Sequence, residues 1–103
     1  MVIKIPFDTN YADQSLTCEL DGESFIFRAR YNTRSEMWYL SIYDETNDPI
    51  FEGLALVLGI NFFELVTDER LPEYGLRLFR VYGTGECGRN DLNEDCQLVY
   101  GGD

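Results

Sequence analysis

The chain contains no histidine. The commonest general base, the usual nucleophile–base pairings and the commonest metal ligand are therefore missing. Zinc would have to rely on Cys18, Cys87 and Cys96, which show no CxxC spacing. Gly83-Thr84-Gly85 with Gly88 resembles a nucleotide loop only superficially, because no Lys-Ser/Thr follows and no GxGxxG sits after a strand. Asp91-Leu92-Asn93-Glu94-Asp95 has the D-x-N-x-D opening of a calcium loop, but the sixth position is Cys96 instead of glycine and the twelfth is Gly102 instead of glutamate. A second acidic cluster, Asp44, Glu45 and Asp48, reads as a solvated turn. With nineteen acids in 103 residues, paired carboxylates are unavoidable and carry no specific signal for acid–base catalysis. The expectation is no enzyme, no cofactor and no metal.

What remains are side chains suited to contact. Arg28 and Arg30 share one face of a strand pattern, and Tyr39 and Tyr43 lie opposite Trp38, Leu40 and Ile42 on the next. A tyrosine joins a large rigid contact area to a polar tip, so these four residues mark an interface. The bland alternative for the arginines is cross-strand charge pairing.

The elements that must position them are strands. Residues 14–43 alternate with period two over three consecutive segments. Leu16, Cys18 and Leu20 share a face; Asp21-Gly22 supplies hairpin chemistry; Phe25, Phe27, Ala29 and Tyr31 then oppose Ser24, Ile26, Arg28 and Arg30. After residues 32–36, Trp38, Leu40 and Ile42 point inward. Further strands are expected at about 2–6, at 50–58 with a break or bulge at Gly53, at 76–82 with both faces partly apolar, and at 96–100. Asn61 is placed to cap a helical turn within 61–66. The fold class is thus all-β: a single antiparallel small barrel or sandwich of about six to seven strands, with at most one short helix, spanning 1–103 as one domain.

An odd cysteine count rules out a complete disulfide framework within one chain. Cys18 and Cys96 read as buried free thiols and Cys87 as an exposed loop residue, a usage that suits a reducing compartment. The start VIKIPF predicts no secretory leader. The longest apolar run, 53–66, is too short to span a bilayer and is interrupted by Asn61 and Glu64. Net charge is −11. Residues 1–43 hold six acids and four bases, a net of −2, and residues 44–103 hold thirteen acids and four bases, a net of −9. Neither nucleic acid nor a membrane is expected as a partner. The acidic balance fits solubility or docking to a basic protein surface. The mobile part is expected to be the glycine- and acid-rich loop 83–95.

From LTCELDGESF to GINFF the chain resembles a family of small tailed-phage proteins known from a cyanophage baseplate plug. Arg28, Arg30, Tyr31, Asn32, Trp38, Tyr39, Leu40, Gly53, Leu56, Val57 and Gly59 match its ordered pattern, and the acidic loop before an apolar strand, Asp91 to Tyr100, is also similar. The resemblance implies a structural virion protein at the tail-tube end. It would be made in the host cytoplasm and would pack against other baseplate and tail proteins, as a ring homo-oligomer in the assembly and a monomer in isolation. It carries no catalytic residues over. The competing reading is a small acidic inhibitor, of the immunity or anti-restriction kind, that blocks a basic enzyme surface.

Overall fold

A computed structural model describes residues 2–101, and these form seven strands and one 3-10 turn. The strands are β1 (Val2–Lys4), β2 (Asp13–Leu20), β3 (Glu23–Asn32), β4 (Met37–Asp44), β5 (Pro49–Ala55), β6 (Gly75–Arg80) and β7 (Cys96–Gly101). They make two antiparallel sheets, a four-stranded one in the order β2-β3-β4-β5 and a three-stranded one in the order β1-β7-β6. The sheets do not close on each other, so the architecture is a sandwich and not a barrel. Among the described residues no helix is long and apolar enough to cross a membrane.

The four-stranded sheet follows directly from local chemistry. Asp21 and Gly22 both take positive φ, 53° and 82°, as a two-residue primed turn requires. That turn sets the β2–β3 register from Leu20↔Glu23 to Asp13↔Arg30. The register places Phe25, Phe27 and Ala29 of β3 beside Trp38, Leu40 and Ile42 of β4, all buried. Gly53 has φ +70°, and the β4–β5 register shifts between the Leu40 and Ile42 pairs, so the expected irregularity is a bulge.

The facing sheet contributes Leu76, Leu78, Cys96, Leu98 and Tyr100 to the same core, while Ile5, Phe7, Leu56, Phe62 and Leu92 close it off. The Tyr100 hydroxyl spans the two sheets: it donates to the Asp21 carboxylate and accepts from the Tyr74 amide at 3.1 Å. Burial, together with that carboxylate, pushes the phenol up to about 12. Asn61 caps the 3-10 turn Phe62–Glu64, as its position suggested. Its Oδ1 accepts from Phe63 N and also from Leu76 N, each at 3.1 Å, tying the turn to β6.

Several boundaries differ from the periodicity. β1 stops at Lys4, although Ile5 N still donates to Leu98 O at 2.8 Å. β5 ends at Ala55 because the chain crosses to the other sheet, where Leu58 bridges Leu78 in parallel. β6 ends at Arg80, leaving Val81 and Tyr82 exposed. Leu16 and Cys18 are only partly buried, since β2 is an edge strand with one neighbour.

The cysteine reading is overturned at two of three positions. Cys96 is buried but not a free thiol, and Cys87 is not exposed: they form a disulfide with a Cα–Cα distance of 6.2 Å. The nine-residue separation hid the pairing, because only the folding back of 88–95 brings the two together. Cys18 alone keeps a free thiol, and burial raises its pKa.

Candidate interaction surface

The outward residues of β3 and β4 line a groove with a volume of about 710 Å³. Cross-strand pairing sets Arg30 beside Tyr39 and Arg28 beside Ser41, and Ile26 opposes Tyr43. The β3–β4 turn supplies Thr33 and Arg34, and the bulge of β5 supplies Glu52 and Gly53. All four residues expected at an interface, Arg28, Arg30, Tyr39 and Tyr43, therefore line one concavity.

Each tyrosine hydroxyl is anchored within the groove. Tyr43 OH donates to Glu52 Oε2 at 3.0 Å, and Tyr39 OH donates to Ser35 Oγ at 3.1 Å. Gly53 N donates to Ser41 Oγ at 3.1 Å, which fixes the bulge against β4. Both rings are half-buried on the outer face of the sheet. Such aromatic walls present area with little rotamer freedom left to lose.

Charge in the groove runs against that of the whole chain. Three of the eight basic residues, Arg28, Arg30 and Arg34, line it. Arg28 reaches Asp13 through two bonds, Nε–Oδ1 at 2.9 Å and Nη2–Oδ2 at 2.7 Å, so this arginine does take the cross-strand pairing. The pair lowers the pKa of Asp13 and raises that of Arg28. Among the described residues neither Arg30 nor Arg34 makes an ion pair. Arg34 was not singled out from sequence, because it belongs to a turn and no strand periodicity assigns it a face.

The acidic motifs serve the fold. Asp91 Oδ2 accepts from Arg80 Nη2 at 3.0 Å and from Gly88 N at 2.8 Å, and Leu92 is buried in the core. The calcium-like opening is thus a folded turn around an arginine, and Gly102, its twelfth position, lies outside the described residues. Among the described residues no group of three or more cysteine, aspartate or glutamate side chains is arranged to hold a metal ion. Nor is the Asp44–Asp48 cluster merely solvated. Arg70 bonds Asp44 at 3.0 Å, Asp48 at 2.6 Å and Asp68 at 2.7 Å. Hydrogen bonds from Thr46, the Asp48 amide and Arg70 hold the Asp44 carboxyl down at about 2.

Loop 83–95 divides in two. Its first residues are exposed and are held by bonds from Arg80 to Gly85 O and Glu86 O and from Leu58 N to the Glu86 carboxylate. From Cys87 onward it is fastened to the core by the disulfide and by Trp38 Nε1, which donates to Gly88 O at 2.9 Å. Arg89 lies 5.5 Å over the Trp38 ring and donates to Thr9 O. One surface escaped the sequence reading: Phe79, Val81 and Tyr82 are 48%, 62% and 70% exposed at the end of β6. The signal was present in the apolar residues on both faces of that segment.

The chain matches the family model described as cyanophage baseplate Pam3 plug gp18 over residues 2–103 and belongs to that family. A search of curated proteins finds no match.

Proposed function

We propose, from membership of the baseplate plug family, that this protein is a structural component of a tailed-phage baseplate, seated as a plug at the end of the tail tube. It acts as one β domain by packing against other baseplate and tail proteins, without catalysis. Repeated copies in a ring would multiply a modest contact into a stable one. The virion is its final location, reached after synthesis in the host cytoplasm. The observation that carries this reading is the family match across the chain, and the groove of Arg28, Arg30, Tyr39 and Tyr43 supports it as the packing face. The inhibitor reading rests on the net −9 of residues 44–103, and four of the thirteen acids there, Asp44, Asp48, Asp68 and Asp91, are engaged by arginines of their own chain.

Cryo-microscopy and peptide mass spectrometry of purified virions test the assignment: the chain should appear at the tube end, and its absence from the particle would refute it. Tyr39→Ala and Tyr43→Ala should each shift stability by about 1 kcal/mol or less while impairing particle assembly. If both variants melt far below the parent, the outer face of β4 is core and not interface.

A further inference from the structure

We propose that the groove on the four-stranded sheet receives an extended, carboxylate-bearing segment of a partner protein, with acidic side chains at alternate positions. This rests on the reading of that face as an interface and names its occupant. The argument begins from the distribution of arginines. In the acidic half, Arg70 is surrounded by Asp44, Asp48 and Asp68, and Arg80 is held by Asp91 and by the carbonyls of Tyr82, Gly85 and Glu86. Those guanidinium groups are spent on the fold. Arg30 and Arg34 are exposed, and among the described residues neither makes an ion pair, although the chain carries nineteen acids. A protein of net charge −11 that keeps two unpaired guanidinium groups in one concavity presents a local site for anions.

The spacing selects the form of the anion. Arg28 and Arg30 are two residues apart on β3 and share a face, so their Cα atoms are separated by about 6.8 Å. An extended peptide has the same spacing between alternate side chains, so one carboxylate meets Arg30 while its neighbour at i+2 reaches Arg28 Nη1, which the two bonds to Asp13 through Nε and Nη2 leave over. Arg34, at the turn, extends the row, and the half-buried rings of Tyr39 and Tyr43 wall it. A second copy of this chain suits the groove less well. Two bodies of −11 repel, and the Asp91–Asp95 run is already folded around Arg80. A nucleic-acid strand, charged at every nucleotide, meets that repulsion along its whole length, whereas the proposed segment alternates charged with neutral side chains.

The test uses the whole protein and a fluorescein-labelled peptide (Glu-Thr)5, compared with a peptide of equal composition in block order, with (Lys-Thr)5 and with an oligothymidylate. Fluorescence anisotropy at low salt should show binding to the alternating peptide, weaker binding to the block peptide and none to the lysine peptide or the oligonucleotide. Binding should fall at least about tenfold in Arg30→Gln/Arg34→Gln and weaken steeply as salt is raised. Should the double variant melt lower than the parent, Arg34→Gln alone, in the exposed turn, serves as the comparison. Equal binding by parent and variant, or no binding of the alternating peptide, overturns the proposal. So does oligonucleotide binding through the arginines, or self-association by sedimentation that the double variant abolishes. In each of these cases an assembly defect in Tyr39→Ala would still identify the face as an interface, so the occupant can fail without the surface failing.

Discussion

The two sheets differ in how they are assembled. The four-stranded sheet pairs only strands adjacent in the chain, through turns that its own residues dictate. The three-stranded sheet pairs β1 with β7, joining residues near 2 to residues near 101, and places β7 between β1 and β6. Closing so long a loop costs chain entropy that no local turn offsets. Extra fastenings accumulate there: the Cys87–Cys96 disulfide, the Trp38–Gly88 hydrogen bond and the Arg80–Asp91 pair. Local alternation suffices for one layer, whereas the other is held by cross-links that join it to its own loop and to the first layer.

The largest expected effect comes from removing the residue that serves both layers. Trp38 is fully buried on β4 and bonds the loop that precedes β7. Trp38→Ala should cost ~3–5 kcal/mol and unfold the domain or lower its thermal midpoint drastically. A midpoint within a few degrees of the parent would show that the layers are held together elsewhere.

Next is the disulfide. Opening a loop of nine residues' separation should cost roughly 2.5 kcal/mol. In Cys87→Ala/Cys96→Ala, hydrogen exchange should accelerate in β6 and β7 before it does in β3 and β4. Uniform acceleration in both sheets would erase the distinction drawn between them.

Asn61→Ala removes one oxygen that satisfies two amides, one on the 3-10 turn and one on β6. A loss of about 1–2 kcal/mol in chemical denaturation is expected, larger than that of an ordinary cap because Leu76 N is also left without its partner. No measurable loss would mean that water replaces both bonds.

The smallest effect concerns pH. Asp44 is held at about 2, against an ordinary 3.8, and Asp68 and Asp13 are also lowered by their arginines. A carboxyl lowered in the folded state contributes stability that is complete above its unfolded value and is lost as pH falls through the folded one. The thermal midpoint should therefore drop as pH is lowered from about 5 towards 2. Arg70→Gln should flatten that drop. An unchanged acid slope in the variant would show that Asp44 and Asp68 act independently of Arg70.

Much of the four-stranded layer was legible in the chain. Asp21-Gly22 specifies its turn by backbone preference, and the alternation of Phe25 to Tyr31 and of Trp38 to Ile42 specifies inner and outer faces, because side chains on a strand repeat every two residues. Arg28, Arg30, Tyr39 and Tyr43 were assigned to outer faces by that same rule. Asn61 was legible as a cap because its role depends only on the residues next to it.

What the tertiary structure alone decided depends on residues far apart in sequence. Cys87 and Cys96 became partners only when the intervening loop folded against Trp38. Asp44 and Asp48 found Arg70, with its near neighbour Asp68, only across a long connection, and Arg34 joined the groove only once the β3–β4 turn had a shape. Whether the strands would close into a barrel or remain two sheets turned on the path from Ala55 to Leu78, where the chain leaves one layer to pair with the other. Periodicity reports which side of a strand is apolar. It does not report which distant surface will cover that side, since that depends on loop closure and packing over the whole chain.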